Sequence, residues 1–109
     1  KHLTRTRLLL HIVDMASDED VLGNARTLLG ELQKYSAELA DRERWLVLNK
    51  LDLLEDAEAD LRCTKLIEGL QWQNPVFRIS ALRRDGTKEL CQTVYAYLEA
   101  RDREQNDDT

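Results

Sequence analysis

Proline occurs once, glycine four times and cysteine twice in 109 residues, and each scarcity removes a class of protein. One proline and four glycines leave no low-complexity linker. Cys63 and Cys91 lie far apart, with apolar neighbours at helical spacing, so neither a disulfide framework nor a CxxC redox pair fits, and both read as buried thiols. His2 and His11 have no second ligand at zinc-like spacing, which argues against a metal site built from protein ligands alone. No run of about 18 apolar residues occurs, so neither a membrane span nor a signal peptide is expected, and the chain reads as cytoplasmic. Positive charge is also in deficit. Lys plus Arg number 16 against 21 Asp plus Glu, a net charge of -5, which argues against a surface built mainly to neutralise nucleic-acid phosphates and leaves room only for a local basic patch.

What is present is the balance of one small globular domain, 42% hydrophobic and 34% charged. Leu8, Leu9, Leu10, His11, Ile12 and Val13 form a continuous apolar run closed by Asp14, the pattern of a strand covered on both faces, as in parallel sheets. His11 within it reads as a satisfied core histidine. Asp14 reads as structural, and Arg5 and Arg7 as a solvated helix end. Ser17 stands three residues ahead of Asp20 as a capping-box variant, and Val21, Ala25, Leu28, Leu32, Tyr35 and Leu39 recur at helical spacing.

Trp45, Leu46, Val47 and Leu48 make a second buried-strand run, ending abruptly in the polar group Asn49-Lys50-Leu51-Asp52. A helix follows from roughly Glu55 to Leu70, its apolar face carried by Leu61, Cys63, Leu66, Ile67 and Leu70 and its end marked by Gly69 and Asn74-Pro75. Val76, Phe77, Arg78 and Ile79 give a third strand, which also ends in small polar residues, Ser80-Ala81. A turn at Asp85-Gly86 leads to a last helix with Leu90, Cys91, Val94, Tyr97 and Leu98 on one face. Residues 1–101 read as the folded unit and 102–109 as a polar, disordered tail. The order is strand, helix, strand, helix, strand, helix: an α/β architecture of three parallel strands with alternating helices. Ligands of such sheets sit beyond the carboxyl ends of the strands, where the polar groups of this chain gather.

A carboxylate at that edge, such as Asp52, can accept two parallel hydrogen bonds from adjacent N–H donors, as on the N1 and N2 edge of guanine; adenine lacks that pair. The Asn49 amide can donate to the other side of a purine, the Lys50 stem can lie along the ring, and the Ala81 N–H can reach a carbonyl oxygen such as O6. Asn49-Lys50-Leu51-Asp52 matches the NKxD base-recognition motif of Ras-like GTPases, and Ser80-Ala81-Leu82 matches their SA(K/L) motif. The two occur in the right order and are separated by one helix and one strand. With the flanking residues 2–14, Glu31-Leu32, Tyr35 and Trp45-Leu46-Val47-Leu48, the chain resembles the Obg/CgtA family of bacterial ribosome-associated GTPases over about residues 1–100.

The resemblance implies a partial P-loop NTPase (Ras-like) fold in three layers. It also implies Asn49, Lys50, Leu51, Asp52, Ser80, Ala81 and Leu82 as nucleotide-binding residues, and a parent that binds GTP or GDP with Mg²⁺, hydrolyses GTP, and acts on the large ribosomal subunit or its rRNA. The chain contains no GxxxxGK(S/T) phosphate loop, and no switch threonine or switch DxxG is assigned ahead of the first strand, so no catalytic or magnesium residue is named and the expectation is base recognition without phosphoryl transfer. In Ras-like domains the strand matching residues 8–13 lies inside the sheet, so here its outer edge is expected to lack a neighbour and to drive self-association. The last helix alone is expected on one sheet face. The alternative is a non-enzymatic α/β interaction module that keeps a GTPase-like sequence for structure.

Overall fold

A computed structural model describes residues 7–37, 41–80 and 86–107, the last four by backbone alone. The elements are β1 (Leu8–Asp14), α1 (Val21–Tyr35), β2 (Glu43–Asn49), a single 3₁₀ turn (Leu51–Leu53), α2 (Asp56–Leu70), β3 (Val76–Arg78) and α3 (Thr87–Asp107). The strands form one parallel sheet in the order β1-β2-β3, with Leu8 opposite Glu43, Asp14 opposite Asn49, and Leu46 to Leu48 opposite Val76 to Arg78. The fold is therefore α/β, with three parallel strands and alternating helices. Among the described residues no helix is long and apolar enough to cross a membrane.

Successive side chains of β2 point to opposite faces, and the central position of the strand fills both. Trp45, Leu46, Val47 and Leu48 are 0–3% exposed. Leu46 and Leu48 join Val13, Met15, Ala25, Cys63 and Leu66 under α1 and α2, while Trp45 and Val47 join Ile79 and Leu90 under α3. Two helices thus cover one face and one helix the other. The α1–α2 contact is close: a Cβ on Gly69 would stand 2.6 Å from Leu22 Cδ2, and Arg26 Nη2 donates to Gly69 O at 2.9 Å.

Several local expectations are corrected. β1 is not covered on both faces: among the described residues it stands at the edge of the sheet, and Leu10 is 39% and Ile12 60% exposed. The α1 cap is Asp20, whose Oδ1 accepts the Gly23 N–H at 3.0 Å, while Ser17 Oγ accepts from Glu19 N. Leu28 and Tyr35 of α1 and Leu61 of α2 face outward, and Cys91 is exposed where Cys63 is buried; Leu28, Tyr35 and Cys91 sit at the rim of their helical stripes, and Leu61 lies on the side of α2 opposite Cys63 and Leu66. Leu39 lies outside the described residues. Arg7 is not at a helix end: it immediately precedes β1 and pairs with Asp102 of α3, and that helix runs on to Asp107 through positions first read as tail. Arg5 lies outside the described residues.

His11 is not a satisfied core histidine. It is half-buried, its Nδ1 has no hydrogen-bond partner among the described residues, and its ring meets the Trp72 ring edge-on at 6.4 Å. Burial, and then the nearby Arg44 guanidinium, push its pKa below the ordinary 6.5. The unfolded chain takes up this proton near pH 6.5, so the stability that neutral His11 contributes is intact above that pH. It is lost as the pH falls toward the lower folded-state value. In urea unfolding at about pH 7.5 and about pH 5, the native chain is expected to lose more stability than a His11→Gln variant. Equal losses in the two proteins would remove His11 as the source.

Candidate functional site

β1 and β2 end side by side, and their last residues set the geometry beyond the sheet. Asn49 closes β2: its carbonyl accepts the Met15 N–H at 3.0 Å, and its Oδ1 accepts the Lys50 N–H at 2.8 Å. Lys50 then takes a left-handed conformation, φ 67°, which costs a non-glycine residue about 1–2 kcal/mol. That reversal turns the chain sharply out of the sheet into the 3₁₀ turn, where Leu53 N donates to Lys50 O and Leu54 N to Leu51 O. Asp52 is carried on this turn.

The Lys50 ammonium reaches back across the sheet edge to Asp14 Oδ2 at 3.0 Å, while Asp14 Oδ1 accepts the Ala16 N–H at 3.0 Å. The hydrogen bond from Lys50, followed by those from the Ala16 and Ser17 amides, holds the Asp14 carboxyl below its ordinary 3.8. Both side chains are about half exposed, so the pair orients the loop more than it stabilises the fold. It gives Asp14 the structural role expected of it. It also ties the tip of Lys50, a side chain expected to lie along a ligand ring, to β1.

Asp52 and Ser80 come together. They line one open cleft of about 450 Å³ beyond the ends of β2 and β3, together with Leu51, Asp56, Asp60 and Arg78. Ser80 is only 3% exposed and follows Ile79, whose N–H bonds Leu48 O at 2.8 Å; the β2–β3 ladder therefore fixes its position against the 3₁₀ turn. The Asp52 carboxylate makes no hydrogen bond or ion pair among the described residues, which leaves it able to accept donors from a ligand. Arg78 Nη2 donates to Asp60 Oδ1 at 2.8 Å, spanning one wall from β3 to α2 and holding the guanidinium pKa above its ordinary value, with Cys63 adding to the effect. Ala81 and Leu82, the rest of the second motif, lie outside the described residues.

Asp56 and Asp60 were missed in the sequence as cleft residues, although their spacing of four on α2 puts them on one helical face. The Asp14–Lys50 pair was missed too; its one signal is that both residues end neighbouring parallel strands. Among the described residues no group of three or more His, Cys, Asp or Glu side chains could hold a metal ion. No protein-family model matches the chain.

Proposed function

We propose that this chain is the guanine-recognition part of an Obg-type, Ras-like GTPase domain. The parent would bind GTP and GDP, hydrolyse GTP with Mg²⁺, and act in assembly of the large ribosomal subunit. One observation carries the reading: Asp52 of the NKxD sequence, whose carboxylate makes no hydrogen bond or ion pair among the described residues, and the buried Ser80 of the SAL sequence line the same cleft at the ends of adjacent parallel strands. In this reading Asp52 accepts the N1 and N2 donors of guanine, the Asn49 amide meets the purine's other side, and O6 falls to the Ala81 N–H of the SAL sequence. The Lys50 stem lies along the ring whether or not its ammonium stays with Asp14. Phosphate cradling and metal binding belong to sequence that the 109 residues do not include, so these residues bind without turning over.

Base contacts alone imply weak affinity, with a dissociation constant on the order of 1 mM, and little distinction between guanosine, GDP and GTP. Amide shifts of residues 49–52 and 80–82 on titration with guanosine, with adenosine as control, measure it. Guanosine is expected to move these amides and adenosine to leave them in place. Asp52→Asn, which removes charge-assisted hydrogen bonds worth about 1.5–3 kcal/mol, should weaken guanosine binding roughly tenfold or more. Equal responses to the two nucleosides, or an unchanged guanosine affinity in Asp52→Asn, would favour the non-enzymatic module instead.

A further inference from the structure

The chain reverses at Lys50, and the reversal has different supports on its two sides. The left-handed φ of 67° is disfavoured for a residue with a Cβ. Within the loop it is held by two hydrogen bonds: the Lys50 N–H donates to Asn49 Oδ1 at 2.8 Å, and Lys50 O accepts the Leu53 N–H at 3.2 Å. Leu51 and Leu54 pack against the α1–α2 core and anchor the far side of the turn, whereas Leu53 is 62% exposed. The near side is anchored from another strand. β1 and β2 end in register, Asp14 opposite Asn49, so the Asp14 carboxylate stands beside the reversal. Its two oxygens have separate tasks: Oδ1 accepts the Ala16 N–H and Oδ2 accepts from the Lys50 ammonium, each at 3.0 Å. The first bond fixes the direction in which the carboxylate presents its second oxygen.

We infer that Asp14 is a positioning residue for the base site: through Lys50 it holds the left-handed reversal and the Lys50 stem in the arrangement that receives a purine, and so sets affinity without touching the ligand. The inference rests on the reading of residues 49–52 as a base-recognition loop and names the residue that keeps that loop ready. A lysine stem has many rotamers, and a loose one must be ordered when a ring settles against it, which subtracts from affinity. With its ammonium held by Asp14, much of that ordering is complete before the ligand arrives. The same tether opposes escape of Lys50 from the left-handed conformation, on which the place of Asp52, two residues further on, depends. Asp14 does not meet the edge of the base that Asp52 reads, so discrimination between guanosine and adenosine stays with Asp52 while Asp14 governs strength. Both members of the pair are about half exposed, so the effect is modest: its loss is expected to weaken guanosine binding roughly two- to fivefold.

Asp14→Asn is close to isosteric: its Oδ1 can still accept the Ala16 N–H, while an NH₂ group replaces the oxygen that faces the ammonium. Lys50→Met keeps an unbranched stem and removes the ammonium. In a double-mutant cycle read by amide shifts on guanosine titration, each single variant is expected to bind more weakly, and Asp14→Asn added to Lys50→Met should cause no further loss. A carboxylate that mattered only to the end of β1 would cost as much in either background. Amide exchange of the ligand-free chain gives a second readout. The Leu53 N–H, bonded to Lys50 O, should exchange faster in both single variants and no faster in the double variant, while the Ile79 N–H, bonded to Leu48 O, stays as protected as in the native chain. Unchanged Leu53 exchange in Asp14→Asn, or additive losses in the cycle, overturns the inference. So does native Leu53 exchange in Lys50→Met, which breaks the same pair from its other end should Asp14→Asn fail to fold. A native chain that ignores guanosine overturns the base-site reading and, with it, the effect of Asp14 on affinity; exchange that still couples Asp14 to Lys50 would then place the failure in the ligand and not in the tether.

Discussion

Trp45→Ala is expected to destabilise the chain by about 3–5 kcal/mol, the range for truncating a buried aromatic. Trp45 sits on the central strand, 3% exposed, facing α3. Its ring lies 5.4 Å from that of Phe77 and meets that of Tyr97 edge-on at 5.3 Å, and its Nε1 donates to Glu43 Oε2 at 2.9 Å. The α3 face has a thinner core than the α1–α2 face. Among the described residues its buried members are Trp45, Val47, Ile79 and Leu90, and the indole is the largest of them. Few neighbours can relax into the cavity left behind, and a domain of this size has only about 5–15 kcal/mol of net stability. Urea unfolding measures the loss. Hydrogen exchange should show α3 amides such as Val94 and Tyr97 released before those of α2. Leu61→Ala, at a position 50% exposed, is the control and should change stability by no more than about 0.5 kcal/mol. A Trp45→Ala loss below about 1 kcal/mol would mean that α3 is held by something other than this cluster.

Gly86→Ala should be the second most damaging change, through the backbone instead of the core. Gly86 has φ +76°, and a Cβ there would stand 2.5 Å from the carbonyl oxygen of Arg78. The left-handed conformation costs about 1–2 kcal/mol for alanine, and displacing the β3 backbone adds roughly another 1–3 kcal/mol of overpacking strain. Arg78 ends β3, and Gly86 O accepts the Leu90 N–H at 3.1 Å as α3 begins. The strain therefore falls where the last helix leaves the sheet, two residues from Ser80. Gly30→Ala is the matched comparison, since Gly30 lies within α1 with nothing inside 4 Å of an added Cβ. It should stabilise by about 0.5–1 kcal/mol. Chemical denaturation of the two variants gives both values, and a Gly86→Ala protein as stable as the native one would refute the close approach of this turn to β3.

These two residues show how differently the sequence reports on its fold. The run from Trp45 to Leu48 reads as a strand apolar on both faces, the character that the centre of a parallel sheet requires. The alternation of strands with helical stretches likewise fixes the parallel sheet, since parallel neighbours need long crossovers. It follows that Asn49 to Asp52 and Ser80 fall at the carboxyl edge, so the placement of the candidate site was legible before any coordinates. These are local patterns, set by residues within one or two turns of each other.

Which apolar surfaces are covered was not legible. Residues 8–13 are as apolar as the β2 run, yet Leu10 and Ile12 stand exposed, because edge or centre is decided by how many strands lie alongside and not by the strand itself. Cys91 satisfies the helical spacing but stands at the rim of its stripe and is exposed. The Asp14–Lys50 pair joins residues 36 positions apart and exists only because β1 and β2 end in register. The sequence by itself determined the elements, their order and the edge at which their polar ends collect, since short-range sterics and hydrophobic periodicity act within a segment. Only the tertiary structure decided burial, pairing and strand order, since each of these depends on the neighbour that another part of the chain provides.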